Sequence, residues 1–294
     1  HVSYGQLLYL CSIAELNFAY TSTHISLAIK REELYYRHLF ASHRNSPILH
    51  NPHLMLIHVY SELELPSFTY EKPDSEDLQS LIFFTLKPTN QFVSNLKAGQ
   101  TSINKSLKTF VNNFNDLTNG QLSNLEWDNL LCVGGSVLAC LTAPEDTLAS
   151  KYNFLFPELV IYGLNPKDAN TKISTIYKSV QENSNYDTPY KLIRTNAHII
   201  IYSQYPSRYI IIRVQLYDTP SEILLNEDID CYALGYNGKS VLSTPRCRNA
   251  INKRLNVADC YRTHRDYELQ LLQASALGFA VRVSGLDAQK ISKY

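Results

Sequence analysis

An apolar run, two glycines and a second apolar run follow one another in the stretch Leu131-Cys132-Val133-Gly134-Gly135-Ser136-Val137-Leu138-Ala139-Cys140-Leu141. The first run predicts a buried strand, and the second run, from Ser136 onward, has the character of a helix. Glycines at such a junction let the main chain approach a phosphate closely, and the N-terminus of the next helix supplies N–H donors. The stretch therefore predicts either a phosphate-binding turn or an ordinary tight turn within an α/β arrangement.

Apolar runs and turn signals alternate on the C-terminal side of this stretch. A second strand ends in Tyr162-Gly163-Leu164, and Asn165-Pro166 then supplies an N-cap and a first-turn proline to a helix over 166–182. Further strands are predicted at 192–194, 197–203, 209–217 and 229–236, and helices at 220–225, 245–255 and 266–278. We expect an α/β (α+β) fold, with a mixed sheet flanked by helices.

The first third of the chain has a different pattern of apolar residues. Apolar residues at mixed helical spacing over 5–38 predict two packed helices, with a break near residues 21–23. A loop follows at 42–52, and 81–86 reads as a short strand. Because 294 residues suggest about two domains, we expect a mainly helical N-terminal region of unknown role at 1–88 and a second domain with C-terminal helices at 89–294.

Composition narrows the function classes. Lys plus Arg and Asp plus Glu each number 27, so no basic excess supports a nucleic-acid partner. Local basic residues, among them Lys239, Arg246 and Arg248, are interpreted as a solvated helix face. No apolar run approaches the roughly 18 residues of a membrane span.

Cysteine usage favours a reducing compartment. The six cysteines, at 11, 132, 140, 231, 247 and 260, form no CxxC pair and show no zinc-ligand spacing with histidine. Several of them stand in apolar runs, where a free cysteine behaves as a small hydrophobe. We therefore expect an intracellular protein of the cytoplasm or nucleus.

The chain resembles the polymerase-beta-like nucleotidyltransferase superfamily at the Gly134-Gly135-Ser136 turn. The resemblance continues in residues 154–164, 208–220, 228–238 and 267–281. The similarity is to a largely uncharacterised family of fungi, amoebae and large DNA viruses, often joined to ankyrin repeats, and it covers about residues 115–285. It implies a nucleotidyltransferase-like sheet with a phosphate contact at Gly134, Gly135 and Ser136. It also implies two or three carboxylates that hold the divalent metal ions of an in-line displacement.

The acidic motif departs from that family pattern. The strand ending in Tyr-Gly-Leu usually carries Asp-x-Asp, and the two positions fall here on Phe156 and Glu158, with Pro157 between them. Glu158 remains a candidate metal ligand, whereas Phe156 cannot bind a metal and Pro157 is expected to disturb the strand. The neighbouring strand over 209–217, from which the third carboxylate normally comes, carries no acid and places Arg213 in its middle.

Asp228 and Asp230 are the remaining candidate acids. They lie two residues apart, so on a strand they share one face, which suits a metal pair, although a structural role is the alternative. His198 is interpreted as a hydrogen-bonded core histidine rather than a general base, and His264 as an exposed residue of a basic loop. A Ser/His/Asp hydrolase is not indicated, because Ser136 stands outside a Gly-x-Ser-x-Gly elbow.

Two functions follow from the resemblance and its departures. The favoured one is a pseudoenzyme, a degenerate nucleotidyltransferase fold that needs no cofactor and works through protein contacts as a subunit of a complex. Aromatic residues of the first third, Tyr35, Tyr36 and Phe40, are candidate interface anchors, with core packing as the default. The alternative is an active enzyme that uses Mg²⁺, held by Glu158, Asp228 and Asp230, and a nucleoside triphosphate.

Overall fold

Two sheets and seven α-helices form the part of the chain that the computed structural model describes, namely residues 22–64, 67–73, 77, 80–82, 97–142, 154–183, 190–204, 207–259 and 266–286. The strands are β1 (Ile57–His58), β2 (Leu81–Ile82), β3 (Leu130–Val133), β4 (Glu158–Ile161), β5 (Lys191–Arg194), β6 (His198–Tyr202), β7 (Ile210–Arg213), β8 (Leu234–Tyr236), β9 (Val241–Ser243), β10 (Leu255–Ala258) and β11 (Ala280–Val283). The helices are α1 (Ser22–Ser42), α2 (Leu107–Thr118), α3 (Gly135–Thr142), α4 (Pro166–Glu182), α5 (Pro220–Leu225), α6 (Pro245–Lys253) and α7 (Tyr267–Ala276). The predicted α+β class, with a mixed sheet flanked by helices, is confirmed.

The larger sheet has eight strands in the order β1-β9-β8-β3-β4-β7-β6-β5. Its pairs are antiparallel except for β4 and β7, which run parallel with Glu158 opposite Ile211. The smaller sheet has the order β10-β11-β2. The parallel β4–β7 pair brings segments about fifty residues apart side by side, and the candidate site lies at this pair.

The half of the large sheet formed by β6 and β7 has two unlike faces. Ile199, Ile201, Ile210 and Ile212 point into the main core and are at most 6% exposed. The alternate residues His198, Ile200, Tyr202, Ile211 and Arg213 are only partly buried. Because side chains alternate across a strand, every partly buried residue in this half belongs to the same face of the sheet.

Local capping explains where the helices begin. Asn165 accepts hydrogen bonds from the main-chain N–H groups of Lys167 and Asp168, so α4 starts at Pro166 as predicted. Ser106 accepts a hydrogen bond from the main-chain N–H of Thr109, and this N-cap sets the start of α2 at Leu107. Within the described helices, none combines the length and apolar character that a bilayer crossing requires.

One predicted strand is partly replaced by a helical turn. Residues Asp230–Tyr232 form a 3-10 helix, and only Leu234–Tyr236 of the predicted 229–236 strand forms a β-strand. The side-chain amide of Asn256 accepts the N–H of Cys231, and Asp230 accepts the N–H of Val257. These bonds to β10 compete with a strand ladder, so the strand prediction fails at its first half.

The N-terminal region contributes to both sheets. β1 pairs with β9, and β2 pairs with β11. Helix α1 packs against α5 and α6. Its Tyr36 and Phe40 are buried in a small apolar cluster, whereas Tyr35 is exposed. Residues 1–21, and the domain boundary expected between residues 88 and 89, lie outside the described residues.

Candidate functional site

The glycine turn has the geometry that the sequence predicts. β3 ends at Val133, Gly134 adopts the left-handed region with φ of +77°, and α3 begins at Gly135. The carbonyl of Gly134 accepts the N–H of Leu138, which closes the first turn of the helix. A side chain at Gly134 would be strained, because L-residues disfavour this conformation by about 1–2 kcal/mol.

Apolar side chains pack against this turn. A Cβ atom on Gly135 would lie 3.1 Å from Cδ2 of Leu155 and 3.4 Å from the ring of Tyr232, both buried residues. Ser136 is 1% exposed, and its hydroxyl lies 3.8 Å from the thiol of Cys132. A hydroxyl buried in this way is poorly placed to contact a phosphate, so the Ser136 side chain does not fit the phosphate contact that the resemblance implies.

Glu158 lies beside the turn. It begins β4 and pairs across the antiparallel β3–β4 ladder with Val133, the residue before Gly134. Pro157 immediately precedes the strand, and its carbonyl still accepts the N–H of Ile211. The expected disturbance by Pro157 is therefore wrong, because a proline at the start of a strand forfeits no ladder bond.

Arg213 forms an ion pair with the carboxylate of Glu158. On β7, its Nε donates to Oε1 of Glu158 at 2.6 Å and its Nη2 donates to Oε2 at 3.1 Å, while Nη1 donates to Oε1 of Glu227 at 2.7 Å. Two parallel bonds between a guanidinium and a carboxylate are the strong form of this pairing. Burial alone would lower the pKa of Arg213, but the carboxylates of Glu227 and Glu158 raise it well above its ordinary value.

The guanidinium stands on the strand where the resemblance places a carboxylate. A divalent cation about 4 Å from a unit positive charge is repelled by about 8 kcal/mol at an effective dielectric constant of about 20. One guanidinium thus cancels the attraction of one carboxylate at the same distance. Within the described parts of the chain, no three His, Cys, Asp or Glu side chains are grouped so as to hold a metal ion, so this donor set does not fit Mg²⁺.

Asp230 is also bound by an arginine. Its Oδ1 accepts Nη1 of Arg246 at 3.1 Å, and Arg246 also donates through Nε to Glu33 of α1 and through Nη2 to the carbonyl of Glu227. The Arg246 side chain is 11% exposed and that of Glu33 is 0% exposed. The interpretation of Arg246 as part of a solvated helix face is therefore wrong.

Asp228 stands half-buried next to this arrangement. Its negative charge acts on the nearby Arg37. Burial, followed by the positive charge of Arg246, lowers the pKa of Arg37, and Asp228 is the largest influence that raises it. Asp228 precedes the 3-10 helix and Asp230 begins it, so the two do not share one face of a strand. The predicted metal pair is not formed.

Glu227 joins the two arginines. Its carboxylate binds Arg213 and its main-chain carbonyl binds Arg246, so one residue links the β4–β7 pair to the contact with α1. Burial raises the pKa of Glu227, and Arg213 opposes that rise. In the sequence this residue is simply the acid before Asp228, and nothing in its spacing marks it as a partner of Arg213.

Two further positions complete the comparison with the sequence predictions. His198 lies on the partly exposed face, with a side chain 42% exposed and Nε2 3.9 Å from Oε1 of Glu158, so its interpretation as a core histidine is wrong. His264 lies outside the described residues. A cleft of about 360 Å³ opens at the opposite end of β3 from the glycine turn, and it is lined by Leu125, Trp127, Asp128, Asn129, Tyr162, Asn237, Gly238 and Lys239.

Comparisons with known proteins add little to this geometry. No protein-family model matches the chain. An uncharacterized protein of Acanthamoeba polyphaga mimivirus is 28% identical over 187 residues, which are 59% of this chain and 40% of that protein. The crystal structure of the Bacillus stearothermophilus CCA-adding enzyme in complex with CTP is 13% identical with a TM-score of 0.30, over 57% of this chain and 44% of that one. The chain spans less than half the length of each of these two proteins. At these levels of similarity no family is identified for it.

Proposed function

We propose that the chain is a degenerate nucleotidyltransferase fold that acts as a protein-interaction module in an intracellular complex. One observation carries this proposal: Arg213 binds both oxygens of Glu158, the only acid left at the two positions where the resemblance expects metal ligands. Nucleotidyl transfer depends on metal ions that stabilise the attacking and leaving oxygens. A carboxylate paired through both oxygens with a guanidinium has little net attraction left for such an ion, because the positive charge of the arginine offsets its own.

The other candidate acids support the same proposal. Asp230 is held by Arg246, and Glu227 by Arg213. These acids therefore belong to a chain of internal ion pairs that holds β4, β7 and α1 together, rather than to one point beside the glycine turn. The four cysteines among the described residues are free and buried, which is consistent with a reducing compartment.

The alternative is an active Mg²⁺-dependent nucleotidyltransferase. One observation favours it, since the β3–β4 register places Glu158 next to the left-handed Gly134 turn. This function would require Arg213 to leave Glu158 when metal and nucleoside triphosphate bind. The buried Glu227 would then lose its partner as well, which makes the alternative the weaker of the two.

The experiment is a calorimetric titration of the protein with each nucleoside triphosphate, with and without Mg²⁺, repeated on Glu158→Ala. We expect no Mg²⁺-dependent heat for either protein, because the metal ligands are occupied. Circular dichroism and thermal melting serve as the folding control. Mg²⁺-dependent binding to the wild type that Glu158→Ala abolishes would establish the alternative and overturn the proposal.

A further inference from the structure

Strand β5 forms one edge of the eight-stranded sheet. It is last in the strand order and pairs only with β6 among the described strands. All four of its side chains are exposed, including Leu192 at 50% and Ile193 at 46%. An edge strand with exposed apolar residues is a template for another extended chain.

The β5–β6 register shows which main-chain groups of the edge are available. Ile193 pairs with Ile200, and Thr195 continues this register by donating its N–H to the carbonyl of His198 at 2.8 Å. In an antiparallel ladder, hydrogen-bonded pairs alternate with pairs that are not hydrogen-bonded. The N–H and C=O groups of Ile193 therefore point toward β6, whereas those of Leu192 and Arg194 point away from the sheet.

The charges of β5 limit what can pair with it. Lys191 and Arg194 flank the two apolar residues, and neither side chain forms an ion pair with any residue in the described ranges. The strand carries two cations and no acid, so pairing with a second copy of β5 would bring four cations and no carboxylate to one seam. Like charges repel at such short range, so these cations disfavour self-association and favour an acidic partner.

We propose that β5 is a docking edge for an extended segment of a partner protein in which two apolar residues stand between two acidic residues. The segment adds a strand to the sheet, bonding to the outward main-chain groups of Leu192 and Arg194, and its acids face Lys191 and Arg194. This inference rests on the proposed function, since it names the kind of partner that the interaction module binds. Two cations are a small footprint for a nucleic-acid backbone, whereas the outward amide groups match a polypeptide.

Charge preference is tested with two labelled peptides of about ten residues, a length typical of strands. One carries two valines between two glutamates, and the control peptide carries lysines in place of the glutamates. Fluorescence anisotropy should show saturable binding of the glutamate peptide and about tenfold weaker binding of the lysine peptide, a difference of about 1.4 kcal/mol. The double variant Lys191→Glu with Arg194→Glu should reverse this preference.

Backbone pairing is tested with Leu192→Pro and its control Leu192→Ala. The proline removes an outward N–H without breaking a bond to β6, because prolines are tolerated where an edge N–H faces solvent. We expect Leu192→Pro to abolish binding and Leu192→Ala to keep it within about threefold, because Ala keeps the amide and loses only side-chain contact. Hydrogen exchange should show slower exchange at the amides of Leu192 and Arg194 when the glutamate peptide is bound.

Several outcomes would overturn the docking edge. These are no saturable binding of the glutamate peptide up to about 1 mM, the weak limit of a specific site, equal binding of both peptides, or full binding by Leu192→Pro. Tighter binding of a single-stranded oligonucleotide than of the glutamate peptide would assign the edge to nucleic acid instead. The Mg²⁺ nucleotide titration is run on the same protein, so failure of the peptide alone rejects the edge, and Mg²⁺-dependent nucleotide binding alone rejects the pseudoenzyme.

Discussion

Strands β7 and β5 each end in an arginine, and the two arginines have opposite surroundings. Arg213 on β7 is largely buried and binds two carboxylates, whereas Arg194 on β5 is exposed and binds no described residue. The first is a cation whose charge is satisfied within the fold, and the second is a cation whose side chain remains exposed to solvent. The contrast teaches that a cluster of charges near a recognisable turn is no guide to binding until its internal partners are known.

The largest effect is expected from Arg213→Ala. This change leaves Glu158 and the buried Glu227 without their cation, and breaking a buried ion pair costs about 3–5 kcal/mol. Urea denaturation should show that loss in the free energy of unfolding at pH 7. The matched control Arg194→Ala should change it by less than about 0.5 kcal/mol, and a similar small change for Arg213→Ala would mean that the pairing is not structural.

A loss of about 2–4 kcal/mol is expected from Arg246→Leu. Glu33 is fully buried and Asp230 mostly so, and both lose a hydrogen-bonded cation, while the leucine retains part of the packing. Thermal melting should show the fall, with Lys239→Leu as an exposed control. An unchanged melting temperature would contradict the role assigned to Arg246 in fastening α1 to the sheet.

A smaller effect, about 1–2 kcal/mol, is expected from pH in the Arg213→Ala background. Burial already raises the pKa of Glu227, and loss of Arg213 raises it further, so the folded pKa exceeds the unfolded one. The penalty is then full above the folded pKa and disappears as pH falls toward the unfolded value. Denaturation at pH 7 and pH 5 should show the gap to wild type narrowing at pH 5.

The control for this pH effect is the double variant Arg213→Ala with Glu227→Gln. Glutamine does not titrate, so its gap to wild type should stay nearly constant between the two pH values. A gap that narrows equally in the double variant would assign the effect to another group.

The smallest effect is expected from the double variant Lys191→Ala with Arg194→Ala. Both side chains are exposed, so the free energy of unfolding should change by less than about 0.5 kcal/mol, even where peptide binding is lost. A larger loss in denaturation would mean that these cations serve the fold rather than a partner.

Local patterns predict much of this fold. Helix α4 begins at Pro166 and α5 spans Pro220–Leu225 as predicted. Both starts depend on an N-cap residue and a first-turn proline, which are neighbours in the sequence. Strands β9, β10 and β11 are missing from the prediction. Each has only three or four residues and includes a polar one, so neither a period nor a continuous apolar run like that of β3 marks it.

The candidate site is harder to predict, because its contacts depend on tertiary register. Arg213 and Glu158 are 55 residues apart, and only the parallel β4–β7 pairing brings them together. In the sequence, Arg213 draws notice only because the strand over 209–217 lacks the acid that the resemblance implies. The helical turn at Asp230 has the same origin, since its hydrogen bonds come from β10 and α6.

The double contact of Glu227 bears on how reversible the loss of a metal site is. On the proposed function, an ancestor that exchanged a metal-binding acid for Arg213 gained a partner for Glu227, whose carbonyl also steadies Arg246 and therefore α1. A single reversion at Arg213 would place three carboxylates together and weaken that support. On that function, recovery of catalysis would require coordinated changes at several positions, and single steps back toward an enzyme would pass through less stable proteins.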